Sequence, residues 1–163
     1  MIFVSVGTQE FRFDRLLNEI IKLKKENKIS DHLIIQSGSN EYLNKSINND
    51  EVEIIDYMNE NEFLKTLEKS RIFITHGGTG SIIAASKLSK KTIVVPRLAK
   101  FNEHVDDHQL EITTAFYEKG IIEVCQNVSF LDKIIKKTEK NSYSMYINSN
   151  LELLDDVKRF IQE

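Results

Sequence analysis

The stretch Ile72-Phe73-Ile74-Thr75-His76-Gly77-Gly78-Thr79-Gly80-Ser81-Ile82-Ile83-Ala84-Ala85 changes character twice. Its first four residues form a short apolar run without alternation, which suits a strand buried on both faces of a parallel sheet. Gly77, Gly78 and Gly80 then permit a tight turn and a close approach of backbone to a ligand. From Ser81 onward small and apolar residues resume at helical spacing. Strand, glycine turn and helix follow one another without a linker.

The same unit recurs outward in both directions. Strands are expected over residues 2–6, 33–36, 52–55, 72–75, 92–95 and 121–124. Phe13, Leu16, Leu17, Ile20 and Ile21 mark one helix face between the first two. Further helices are expected over residues 62–69, 80–88, 105–119, 130–137 and 151–161, the last carrying Leu153, Leu154, Val157, Phe160 and Ile161. Residues 141–150 are polar and turn-rich, and are expected to link that last helix to the body. This alternation predicts an α/β fold, a Rossmann-like doubly wound parallel sheet. Gly7, Gly38, Gly77, Gly78 and Gly80 follow expected strand ends, on the edge where open α/β sheets bind ligands. Gly120 instead falls where a helix terminus calls for a left-handed residue.

The glycine turn has the ingredients of a phosphate site: backbone N–H groups at a helix start, with Thr79 and Ser81 as hydroxyl donors or caps. The dinucleotide pattern GxGxxG fails, because its third glycine would fall on Ile83. The P-loop pattern fails for want of a Lys-Ser/Thr pair. A second polar stretch, Glu103-His104-Val105-Asp106-Asp107-His108-Gln109, follows Pro96-Arg97-Leu98. At helical spacing it would put His104, Asp107, His108 and Glu111 on one face. His104 and His108 also have metal-ligand spacing, without the glutamate of HExxH, so a metal hydrolase is one alternative reading. Gly7 and Thr8 end the first strand, where they would meet a phosphate or an acceptor group. Asp56 and Tyr57 end the third, where a base would stack or pair.

Composition narrows the classes. The chain has 163 residues, a mass of 18.9 kDa and a net charge of -3, so a nucleic-acid footprint is not expected. Cys125 is the single cysteine, which excludes an intrachain disulfide framework and a thiolate metal site. The start is too short and uncharged for a signal sequence, and no apolar run reaches membrane-spanning length. A single domain over residues 1–163 is expected, cytoplasmic, with membrane contact only peripheral or through a partner.

Taken in order, Val4-Ser5-Val6-Gly7-Thr8, the histidine-glycine turn, Val95-Pro96-Arg97-Leu98 and residues 103–109 resemble the C-terminal, UDP-sugar-binding domain of glycosyltransferase family 28. The resemblance covers roughly residues 1–125. It is strongest to small split-enzyme subunits: bacterial capsule and exopolysaccharide β-1,4-glycosyltransferases above all, and the catalytic subunit of the eukaryotic dolichol-pathway N-acetylglucosaminyltransferase. It implies the C-terminal half of a GT-B glycosyltransferase that uses a UDP-sugar donor and needs no metal or other cofactor. It also implies a membrane-associated partner supplying the acceptor domain, since 163 residues leave no room for one.

By that resemblance Gly77, Gly78, Thr79, Gly80 and Ser81 would hold the diphosphate. Ile55 would contact uracil through its backbone, and Asp107, His108 and Gln109 would face the sugar hydroxyls. His76, Glu103 and His104 are the candidate bases, unless the partner provides one. Many relatives grip the ribose with a glutamate where this chain has Ala84, so that contact would come from elsewhere, with Glu103 the nearest candidate. The implied function is an inverting transfer of a hexose, galactose by the bacterial branch, to a lipid-linked saccharide. A catalytically silent nucleotide-sugar-binding subunit is the other alternative. The apolar face within residues 151–163 is the expected docking element.

Overall fold

The apolar runs become strands because each can bury both of its faces between helices. The computed structural model describes residues 1–40 and 50–145. Among them lie β1 (Ile2–Ser5), α1 (Asp14–Lys25), β2 (Leu33–Gln36), β3 (Val52–Ile55), α2 (Glu60–Lys69), β4 (Ile72–Thr75), α3 (Thr79–Lys87), β5 (Lys91–Val94), α4 (His108–Glu118), β6 (Glu123–Val124) and α5 (Leu131–Lys140). Short 3-10 turns at Ala99–Phe101 and Val128–Phe130 precede α4 and α5. The strands pair in parallel in the order β3-β2-β1-β4-β5-β6. The chain thus winds outward from β1 in one direction and then, from β4, in the other.

Alternation along the central strands sorts the core into two faces. Ile2 and Val4 join Ile72 and Ile74 against Leu16, Leu17 and Ile20 of α1 and Leu131 and Ile135 of α5. Phe3 and Phe73 point the other way, onto Leu67 of α2 and Ala85 of α3, with Phe63 meeting both rings edge-on at 5.3 and 5.9 Å. Farther along that face, Ile82, Val94 and Phe116 bind α3 and α4 to β5. Every residue of β1 and β4 is buried. The doubly wound α/β fold expected from the sequence is the one observed.

Two expected boundaries are corrected. A helix over residues 105–119 is too long, because α4 starts only at His108. Asn102 is left-handed at φ 56°, the Asp106 carboxylate accepts from the His108 N–H at 3.1 Å, and Asp107 Oδ1 accepts from the Ala99 N–H at 2.8 Å. These local bonds hold residues 102–107 as a loop, so His104 is not on the helix with His108. The second correction is at β6, which is two residues long and not four. Ile121 and Ile122 are spent on packing against Phe116 after Gly120, at φ 67°, closes α4. The expected helix over residues 151–161 lies outside the described residues. No helix among the described residues is long and apolar enough to cross a membrane.

Candidate functional site

β1 and β4 are neighbours in the sheet but leave it toward opposite flanks, and their carboxyl ends open a crevice. A cleft of about 450 Å³ lies there, lined by the turn after β1 (Gly7, Thr8, Gln9), by His76, Gly78, Gly80 and Ser81 after β4, and by Met58, Glu60, Phe63 and Leu64 from the start of α2. Ser5 and Gln36 form part of its floor, where the Ser5 hydroxyl donates to Gln36 Oε1 at 3.0 Å. Ser5, Gln36 and Thr75 are each the last residue of a strand and lie in register, which places three polar side chains under the cleft.

His76 is wedged between the two glycine turns. A Cβ at Gly7 would stand 2.5 Å from its Cε1, and one at Gly78 would stand 2.4 Å from its Nε2. Both positions must therefore lack a side chain for the imidazole to fit, and Gly7 also adopts φ 81°. Burial, reinforced by the nearby Arg97 charge, lowers the His76 pKa to about 4. The Thr75 hydroxyl donates to the Ser5 carbonyl at 3.0 Å and lies 3.3 Å from His76 Nδ1. With that hydroxyl proton already given away, the bonding assigns the imidazole proton to Nδ1 and leaves Nε2 as an acceptor beside Gly78. A neutral imidazole with so low a pKa is poorly matched to proton abstraction near neutral pH.

Gly78 caps α3 without any side-chain cap bond, and no acidic residue occupies the first turn. The leading N–H groups of Thr79, Gly80 and Ser81 therefore need a partner from outside the helix, at its positive end. No heavy atom lies within 4 Å of a Cβ built at Gly80, so that approach is open. An anion at this point would meet backbone donors, with the Thr8 and Ser81 side chains in the same cleft lining.

The second polar stretch is arranged otherwise than expected. Glu103 is buried, and both its oxygens receive the Arg15 guanidinium, at 3.0 and 2.8 Å, while Leu98 N–H adds a third bond at 3.1 Å. It faces a separate hollow with Arg12, Asp14 and Phe101 and is not part of the cleft lining. His104 bonds Asp106 through Nδ1 at 2.9 Å and leans on Phe11, outside the cleft lining. Asp107 is tied to Ala99, and the exposed His108 ring lies 3.7 Å from Asp106. Gln109 alone reaches the glycine turn: its Oε1 accepts from Gly77 N–H and from Arg97 N–H, both at 3.0 Å. That oxygen clamps two loops together. Ile55 does not line the cleft either, and its carbonyl accepts from the Ser37 N–H at 2.9 Å. Among the described residues no three His, Cys, Asp or Glu side chains gather as a metal site. The helical pairing of His104 with His108 that prompted a metal reading is absent.

Arg97 went unassigned from the sequence, yet it is fully buried at the heart of the loops. It donates to Val6 O (2.8 Å), Phe11 O (2.8 Å), Arg12 O (3.2 Å) and Glu103 O (3.0 Å), and stacks over Phe13 at 4.8 Å. Glu60, on the α2 wall, was missed as well. Its signal was limited to Asn59 followed three residues later by Glu62, which marks a helix start but not the direction it faces.

Known proteins share this arrangement. The ALG13 subunit of UDP-N-acetylglucosamine transferase from Candida albicans is 23% identical over 93% of this chain, and the chain spans half of that protein's length. The solution structure of ALG13 superposes with a TM-score of 0.61 at 20% identity, covering 99% of this chain and 94% of that one. The glycosyltransferase of kitacinnamycin gives a TM-score of 0.65 at 17% identity, covering 99% of this chain and 38% of that one. These likenesses show the fold, a doubly wound α/β domain of the kind found in GT-B glycosyltransferases. The model of the glycosyltransferase family 28 C-terminal domain matches residues 1–163, and the chain belongs to that family.

Proposed function

We propose that the chain is the donor-binding part of an inverting glycosyltransferase, taking a hexose from a UDP-sugar and completed by a membrane-associated partner that presents a lipid-linked saccharide. The observation that carries the reading is the uncapped amino end of α3, whose N–H groups open onto the cleft beside Gly7 and Gly78. Backbone donors there suit a diphosphate, and the helix dipole with the Ser81 and Thr8 hydroxyls takes up the charge on the departing UDP without a metal. The acceptor hydroxyl attacks the anomeric carbon on the face opposite UDP. The new C–O bond forms as the sugar–phosphate bond breaks, and the hydroxyl proton passes to a base. With Glu103 paired and His76 held neutral, that base is assigned to the partner. The bacterial polysaccharide resemblance favours galactose. The name of the Candida relative favours N-acetylglucosamine as the second sugar to test.

Calorimetric titration with UDP-galactose, UDP-N-acetylglucosamine and the matching non-uridine nucleotides tests the donor. Tighter binding of a non-uridine nucleotide overturns the reading. Sugar transfer by the chain reassembled with its partner, abolished by Gly78→Ala without loss of assembly, distinguishes a working subunit from a silent one.

A further inference from the structure

The first turn of α2 carries two glutamates with different employment. Glu62 closes a capping box: its carboxylate accepts from the Asn59 N–H at 3.0 Å, while Asn59 Oδ1 accepts from the Glu62 N–H at 3.0 Å. Glu60 takes no part in the cap and lines the cleft, one helical turn before Leu64. Among the described residues around the cleft it is the only carboxylate, on a wall otherwise made of Met58, Phe63 and Leu64.

A lone carboxylate opposes the ligand proposed above if it meets the phosphates, since like charges repel in a partly enclosed site. It is favourable only toward hydroxyl or amide hydrogens, because an ionised carboxylate is solely an acceptor. In a nucleotide the ribose joins the diphosphate to the base, and its two adjacent hydroxyls match the two oxygens of one carboxylate. We infer that Glu60 receives the ribose diol of the nucleotide, doing from α2 what Ala84 cannot do from α3. The assignment rests on the nucleotide-sugar reading. It makes the site selective for ribonucleotides over 2′-deoxyribonucleotides. Charge-assisted hydrogen bonds are the strong ones, so loss of a single hydroxyl should be felt.

The test titrates UDP and 2′-deoxy-UDP into the wild-type chain and into Glu60→Ala. Wild type should bind UDP about tenfold more tightly, the size of one such bond. Glu60→Ala should bind both alike and more weakly than wild type binds 2′-deoxy-UDP, because the 3′-hydroxyl loses its acceptor as well. Its unfolding midpoint should match wild type, because the side chain is exposed and uninvolved in the cap. A tenfold preference that persists in Glu60→Ala overturns the assignment while leaving the donor reading intact. So does tighter UDP binding by Glu60→Ala, which would place the carboxylate against the phosphates. A folded wild type that binds no UDP overturns the donor reading and this inference with it.

Discussion

Space at single atoms governs the glycine positions, and they should respond to alanine in opposite ways. At Gly78 a methyl would meet His76 Nε2 at 2.4 Å, whereas at Gly80 it would meet nothing within 4 Å. Gly78→Ala is expected to cost about 1–3 kcal/mol, as overpacking does, and to weaken nucleotide binding. Gly80→Ala should be neutral or add about 0.5 kcal/mol by restricting the unfolded chain. Urea unfolding of the two variants checks both. His76 sets a pH dependence as well. Unfolded, its imidazole takes up a proton as pH falls through about 6.5; folded, it does so only near about 4. Falling pH therefore favours the unfolded chain across that window. The contribution, about 3 kcal/mol by linkage, is complete above about 6.5 and gone near about 4. His76→Gln should flatten the stability profile between those limits, as read from unfolding free energies at a series of pH values.

Elements are joined at the cleft by bonds that no single element makes for itself. Gln109, from the first turn of α4, supplies one oxygen to two buried N–H groups, those of Gly77 after β4 and Arg97 after β5. Gln109→Ala leaves both donors without that acceptor, and about 2–4 kcal/mol of stability should be lost in denaturant titration. Gln109→Glu keeps an acceptor in place and should recover part of it at neutral pH. The strands and most helices were legible from their periodicity, because a run such as Ile72 to Thr75 has no stable alternative to two-sided burial. The start of α4 was not. Polar residues at helical spacing look like a helix face, but side-chain bonds to nearby backbone compete with helix formation, and at Asp106 and Asp107 they prevail.

Across the whole molecule Arg97 is the common anchor. It reaches carbonyls after β1, before α1 and after β5, so the loops that shape the cleft depend on one buried cation. Burial pulls its pKa down to about 10, still high enough to keep the charge at neutral pH. Arg97→Met should cost about 3 kcal/mol or more, because the four carbonyls lose their donor together. Arg97→Lys should restore little, since an ammonium cannot span three segments as a planar guanidinium does. Equilibrium unfolding of both variants is the measurement. By itself the sequence determined the doubly wound sheet, the edge on which its cleft opens, and the glycine turn at that edge. These follow from hydrophobic periodicity and glycine placement, which act over a few neighbouring residues. Tertiary structure alone decided which polar side chains reach the cleft. Glu103 is drawn into Arg15, Gln109 into a clamp and Glu60 out onto the cleft wall. A charged side chain is committed by whichever partner folding brings within bonding distance, and the partner that takes Glu103 lies 88 residues away along the chain.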